Sequence, residues 1–242
     1  MTLVKRRRFP RFATPSMIFI ISAALLSPLS GPANANAAER LDVTLDGLSS
    51  AGALPDESAY CSPTGYGPNA SPGISWSPGP EGTRSYALLM VDPDVPADLS
   101  AVNQPDVVIP EDAPRQSFIH WVLIDMPPSA TGLPAGTDSR GVTPKGKPFG
   151  AVAHGVRGVN DYARFFNGNP DTAGPYGGYD GPCPPGNDGR LHRYVFRVYA
   201  LDVPSLGLSG PFDGRAVEQA VAGHVLAQGE AVGTYTLNPA MR

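Results

Sequence analysis

Leu191-His-Arg-Tyr-Val-Phe-Arg-Val-Tyr-Ala-Leu-Asp202 decides the fold. It is rich in aromatic and β-branched residues, which suit a pleated surface. Its alternation has the period of two that marks a strand, so His192 and Tyr194 fall on one face. Two further stretches read the same way. Ser85-Tyr-Ala-Leu-Leu-Met-Val-Asp92 is apolar on both faces, as a strand covered on both sides must be. Pro93 and Pro96 are expected to end it. Ser117-Phe-Ile-His-Trp-Val-Leu-Ile-Asp-Met126 runs into Pro127 and Pro128. Period two places Phe118, His120 and Val122 on one face. Leu41-Asp-Val-Thr-Leu-Asp-Gly47 reads as a further strand and Ala231-Val-Gly-Thr-Tyr-Thr-Leu237 as a last one. Val217, Val221 and His224–Val225 share a face at helical spacing, which predicts one helix over 215–227 before Gly229. The expected class is mostly β: a two-sheet antiparallel fold with a C-terminal helix and long loops.

The remaining sequence is punctuation. Gly and Pro number 28 each among 242 residues, yet 41% of the chain is apolar and gathered in short runs. That combination fits ordered turns around strands rather than disorder. Residues 49–84, 97–115 and 129–190 are loop-rich. A region as long as 129–190 without regular structure is usually functional.

The N-terminus is organised as an export signal. Lys5, Arg6, Arg7, Arg8 and Arg11 precede an apolar run from Met17 to Leu26, and Ala33-Asn-Ala-Asn-Ala37 offers A-x-A cleavage after Ala35 or Ala37. Residues 1–37 are therefore expected to be a signal peptide and residues 38–242 a single domain. Arg6-Arg7-Arg8-Phe9 resembles a twin-arginine signal, with Pro10 where such signals carry Leu, so the general secretory and twin-arginine routes both stand. The expected location is periplasmic or extracellular. The first 37 residues hold five of the 18 Lys and Arg and none of the 22 Asp and Glu. The remainder thus carries 13 basic against 22 acidic side chains, a net of −9. So acidic a domain is a poor nucleic-acid binder and is repelled by anionic membranes. An anionic ligand would need a local pocket of donors against that field. Cys61 and Cys183 are free to pair in an oxidising compartment, but sequence leaves open whether they meet.

Asp92, His120 and His192 each stand at or near a strand end. An ionisable group in an apolar strand is costly unless satisfied. If the ends converge, one carboxylate and two imidazoles meet beside aromatics, each imidazole able to donate to an anion and Asp92 able to fix a tautomer. The stiff loop Tyr179-Asp-Gly-Pro-Cys-Pro-Pro-Gly-Asn187 could add N–H groups from Gly181, Cys183 and Gly186. Asp94 reads as structural. His154, in a Gly-rich loop, reads as solvated, and His224 as a structural helix residue. Trp76 and Trp121 read as core.

Four segments, Asp92-Pro-Asp-Val-Pro96, His120-Trp-Val-Leu-Ile-Asp-Met-Pro127, Gly181-Pro-Cys-Pro-Pro185 and the strand from His192 to Asp202, resemble the phosphatidylethanolamine-binding protein family, nearest its bacterial Raf-kinase-inhibitor-like branch. Leu133-Pro-Ala-Gly136, Asn160-Asp-Tyr162 and the stretch from His224 to Tyr235 extend the likeness over residues 41–237. The resemblance implies a pocket for phosphate-type anions or phospholipid head groups built from Asp92, His120, Tyr179, Gly181, Pro184, His192 and Tyr194, with Phe118 in its wall. Asp125 and Val95 stand where the family often has Asn and Ala, and the loops at 97–115 and 163–178 look expanded. No cofactor and no catalytic nucleophile are expected, since G-x-S-x-G, P-loop and H-E-x-x-H motifs are absent. The alternatives are a metal-dependent hydrolase using Asp92, His120 and His192, and an inhibitor of a secreted protease or other enzyme.

Overall fold

The computed structural model of the chain describes residues 38–242, so the signal segment expected over 1–37 lies outside the described residues. In chain order the strands are β1 (Glu39–Arg40), β2 (Val43–Leu45), β3 (Cys61–Ser62), β4 (Gly65–Tyr66), β5 (Ile74–Trp76) and β6 (Ser85–Pro96). They continue as β7 (Arg115–Met126), β8 (Gly132–Leu133), β9 (Gly150–Val152), β10 (Gly155–Arg157), β11 (His192–Leu201) and β12 (Val225–Tyr235). Helix α1 spans Tyr162–Phe165 and α2 spans Gly214–Ala220. The main sheet has the order β1-β12-β11-β6-β7-β10-β9, and a smaller sheet has the order β2-β5-β8. Among the described residues, every pairing between these strands is antiparallel except β1 with β12. The mostly β, two-sheet antiparallel expectation holds.

Both faces of the central strands are buried, for different reasons. Leu88 and Met90 of β6, with Phe196 and Val198 of β11, pack against Ile74 and Trp76 of the small sheet. Ala87, Leu89 and Val91 face the other way, onto Phe212, Val217 and Val221 around α2. This double cover explains why the sequence of β6 is apolar without alternation.

Of the three register shifts in the β6–β7 pairing, two change the expected strands. Met90 pairs with Trp121 while Val91 pairs with Ile119, so His120 is the extra residue of a β-bulge. A bulge reverses the side-chain alternation beyond it. Val122 consequently joins the α2 side of the sheet, not the face of Phe118 and His120 that strict period two predicts. The second bulge lies between Asp92 and Val95, where β6 pairs with Phe118 and Gln116 of β7. Pro93 is tolerated there, so the strand runs on to Pro96 instead of ending at Asp92.

The helix is also shorter than its periodicity predicts. Asp213 caps α2 by accepting from the Ala216 N–H at 2.9 Å. The helix stops at Ala220, and Gly223 takes a positive φ of 86° beyond it. Val225 still packs with the Val217 and Val221 cluster, but it reaches that cluster as the first residue of β12, paired with Leu201. Sheet pairing wins over helical spacing. It also frees His224 from the helix: its Nδ1 lies 2.8 Å from Asp202 on the surface.

Cys61 and Cys183 form a disulfide with a Cα–Cα distance of 4.8 Å across 122 residues of sequence. It ties β3 to the Pro-rich loop before β11. In the chain-entropy view, closing so long a loop stabilises by about 3–5 kcal/mol. Replacing both cysteines by Ser should lower the free energy of unfolding by about that amount, read from the urea midpoint. Equal midpoints for the oxidised protein and the double variant would show that the bridge contributes nothing.

Candidate ligand-binding site

A cavity of about 570 Å³ opens at the end of the main sheet where β6, β7 and β11 converge. Its floor is set by strand parity. Asp92 follows Leu88 and Met90 on β6, and Tyr194 precedes Phe196 on β11, so both point to the small-sheet side, beyond the point where that sheet stops. The bulge aims His120 into the same space. Asp92, His120, His192, Tyr194 and Pro184 all line the cavity, as does Phe118.

Tyr179 and Gly181 do not. Tyr179 is fully buried behind the floor, its hydroxyl donating to the Ser58 carbonyl at 2.7 Å and its ring set edge-on to Trp121. Gly181 is a packing glycine: a Cβ there would sit 1.9 Å from the Ser58 carbonyl oxygen. Its N–H donates to Asn69 Oδ1 at 2.8 Å, and the Gly186 N–H donates to Asn103 Oδ1 at 3.0 Å. Neither is free for an anion. Of the loop's three expected donors, only the Cys183 N–H has no partner among the described residues.

His192 is committed to the protein. Its Nδ1 lies 2.7 Å from Asp92 and its Nε2 3.1 Å from Asp188, and the ring is inaccessible to solvent. Contact with a carboxylate at each nitrogen makes it a doubly protonated imidazolium. Burial opposes the charge, but hydrogen bonds and charge from Asp92 and then Asp188 outweigh it and hold the pKa above the ordinary value. Asp188 is in turn clasped by Arg115 at 2.5 and 3.0 Å. Asp188 and Arg115 carry no signal in the sequence, because their role exists only through contacts across 73 residues. Asp94 is structural, as expected, and receives the Arg193 N–H, Arg193 Nε and Arg190.

His120 has a different chemistry. Its Nδ1 is 2.9 Å from the Asp180 carbonyl. Burial lowers its pKa, and Asp92 and the Asp180 carbonyl only partly offset this. Tyr194 is wholly buried, and its hydroxyl has no hydrogen-bond partner among the described residues. Burial, then the Asp92 charge, push its pKa well above the usual phenol value, so it stays a neutral donor.

The wall is aromatic. Tyr60 stacks on Tyr162 at 4.6 Å, Tyr162 stacks on Phe166 at 5.6 Å, and Phe118 meets Tyr162 edge-on. The two loops singled out as expanded both reach the mouth, supplying Leu99, Val102 and Asn103 on one side and Arg164, Phe165 and Phe166 on the other. Val95 lines the cavity; Asp125 does not and instead holds Ser205 and Leu206 on the far side. His154 is not solvated but half-buried, 2.8 Å from the buried Asp138, because residues 150–157 fold back as a hairpin over that carboxylate.

The raised His192 pKa fixes a sign. An imidazolium stabilised by folding contributes fully below its unfolded value of about 6.5 and is lost as pH rises through the higher folded value. Unfolding free energy should therefore fall as pH rises above about 6.5, and His192→Gln should flatten that slope in urea titrations. A slope unchanged in the variant would assign the pH dependence elsewhere.

Comparison with known proteins agrees with this architecture. The family model described as phosphatidylethanolamine-binding protein matches residues 46–236. A UPF0098 protein of Aquifex aeolicus is 34% identical over 169 residues, covering 70% of this chain and 75% of the relative. The UPF0098 protein YbcL of Escherichia coli is 29% identical over 171 residues, covering 71% and 74%. The crystal structure of E. coli YbcL, described as a new member of the mammalian PEBP family, aligns with a TM-score of 0.59 at 25% identity, over 81% of this chain and 98% of that one. With 191 residues matched by the family model and the two-sheet fold shared with a solved member, the chain belongs to the phosphatidylethanolamine-binding protein family.

Proposed function

We propose that this protein is an exported binding protein that takes a small phosphate-type anion, free or as part of a larger molecule such as a phospholipid head group, into the cavity floored by Asp92, His120 and Tyr194. The observation that carries the reading is the Tyr194 hydroxyl: a buried donor at the cavity that makes no well-formed hydrogen bond among the described residues, the Asp92 carboxylate being its neighbour. Such a group costs about 1–3 kcal/mol unless a ligand satisfies it. The charge balance of the floor supports the same reading. The Asp92 and His192 charges cancel, as do those of Asp188 and Arg115, so an anion entering the floor is not driven out by the acidic surface. The aromatic wall excludes water and strengthens each hydrogen bond inside.

The metal-hydrolase alternative loses its ligands. Both nitrogens of His192 are protonated against carboxylates and have no lone pair to give, and no group of three His, Cys, Asp or Glu in ligating range occurs among the described residues. Export is supported by the order of basic, apolar and small residues over 1–37 and by the disulfide, which persists in oxidising compartments.

Calorimetric titration of the mature protein with inorganic phosphate should give saturable one-to-one binding. Tyr194→Phe and His120→Ala should each weaken it roughly tenfold or more, the loss expected for a hydrogen bond to a charged group. Affinity unchanged in both variants would defeat the reading. Protein recovered from the exported fraction should begin at Asn36 or Ala38 by N-terminal sequencing; a chain beginning at Met1 would refute cleavage.

A further inference from the structure

The tautomer of His120 selects among phosphate ligands. A carbonyl oxygen only accepts, so the 2.9 Å contact with Asp180 puts the ring proton on Nδ1. That carbonyl cannot turn away. The Asp180 N–H donates to the His120 carbonyl at 2.9 Å, and its buried carboxylate is gripped by Asn69, Lys147 and Asn160 at 2.8, 2.9 and 2.9 Å. The neutral ring therefore presents a lone pair at Nε2. The groups around it are Asp92 from β6, Tyr194 from β11, Tyr162 from α1, Phe118 from its own strand, and Asp161 and Asp180 from the loops. None is a cation, and the nearby His192 imidazolium is consumed by its two carboxylates.

The deep end of the cavity thus offers two acceptors, the Asp92 carboxylate and His120 Nε2, against the Tyr194 hydroxyl as donor. An oxyanion without a proton has only acceptors and would meet His120 lone pair to lone pair. We propose that the cavity takes its phosphate ligand with one proton still attached, the P–OH donating to His120 Nε2, and so binds phosphomonoesters and hydrogen phosphate while rejecting phosphodiesters and sulfate esters. This rests on the anion-binding reading above and narrows it: an intact phospholipid, being a diester, is disfavoured as the ligand. With the proton kept on the ligand oxygen, the complex holds one proton more than the neutral ring and the ligand dianion apart.

Three probes of equal charge separate the possibilities. Singly protonated phenyl phosphate, phenyl sulfate and methyl phenyl phosphate each carry one negative charge and one aryl ring, suited to the aromatic wall. Only the first has a hydroxyl. Titrated into the wild-type mature protein near pH 5, where phenyl phosphate is almost wholly singly protonated, it should bind at least roughly tenfold tighter than either of the others, the difference expected for one charge-assisted hydrogen bond. Its affinity should fall about tenfold per pH unit above the second phosphate pKa of about 6. Calorimetry in buffers of different ionisation enthalpy, at a pH above that pKa, should show uptake of one proton per complex. His120→Gln, whose amide can donate from nearly the same place, should narrow the gap between phosphate and sulfate esters. Equal binding of all three probes, or affinity independent of pH, overturns the proton requirement while leaving anion binding in place. Binding of none of them overturns both.

Discussion

Three separate stretches of this chain are held together by one buried run of charges, Arg115–Asp188–His192–Asp92. Arg115 belongs to β7, Asp188 to the loop before β11, His192 to the first position of β11, and Asp92 to β6. Charges in so dry a place are tolerated only when every one is paired. Removing a single partner strands the next and costs about 3–5 kcal/mol. The run therefore acts as a lock on the end of the sheet that opens into the cavity. It spends His192 as scaffold and leaves His120 and Tyr194 as the groups with unused hydrogen-bonding capacity.

The division of labour between the two histidines follows from their neighbours. His192 meets carboxylates at both nitrogens and is held charged, whereas His120 meets a carbonyl at one nitrogen and aromatic rings around the rest and is held neutral. The same residue type thus becomes a structural cation in β11 and a cavity-facing acceptor in β7. The bulge at His120 makes this possible, since regular pairing would turn the side chains beyond it to the opposite faces.

Around this floor the loops are ordered by small, specific ties rather than by secondary structure. The Tyr60 and Cys61 N–H groups both donate to the Pro182 carbonyl, the disulfide joins the same two segments, and the Tyr162 hydroxyl donates to the Gly181 carbonyl. Asn187 reaches the carbonyls of Ala101 and Val107 and so anchors the long 97–114 loop to the mouth. The Gly- and Pro-rich composition that could have signalled disorder is instead a set of clamped turns whose aromatic residues form the cavity wall.

The sequence by itself determined the three central strands, the mostly β class and the shared face of His192 and Tyr194, while the convergence of Asp92, His120 and His192 stayed conditional on the packing. Period-two burial and the cost of ionisable groups in apolar strands are local properties, written in neighbouring residues. Only the tertiary structure decided the bulge at His120, the early end of α2, the pairing of the cysteines, the burial of Tyr179 and Gly181 behind the floor, and the clasp of Asp188 by Arg115. Each of these depends on a partner tens to over a hundred residues away. No local pattern encodes whether two such groups come within a few ångströms; that is set by the packing of the whole sheet.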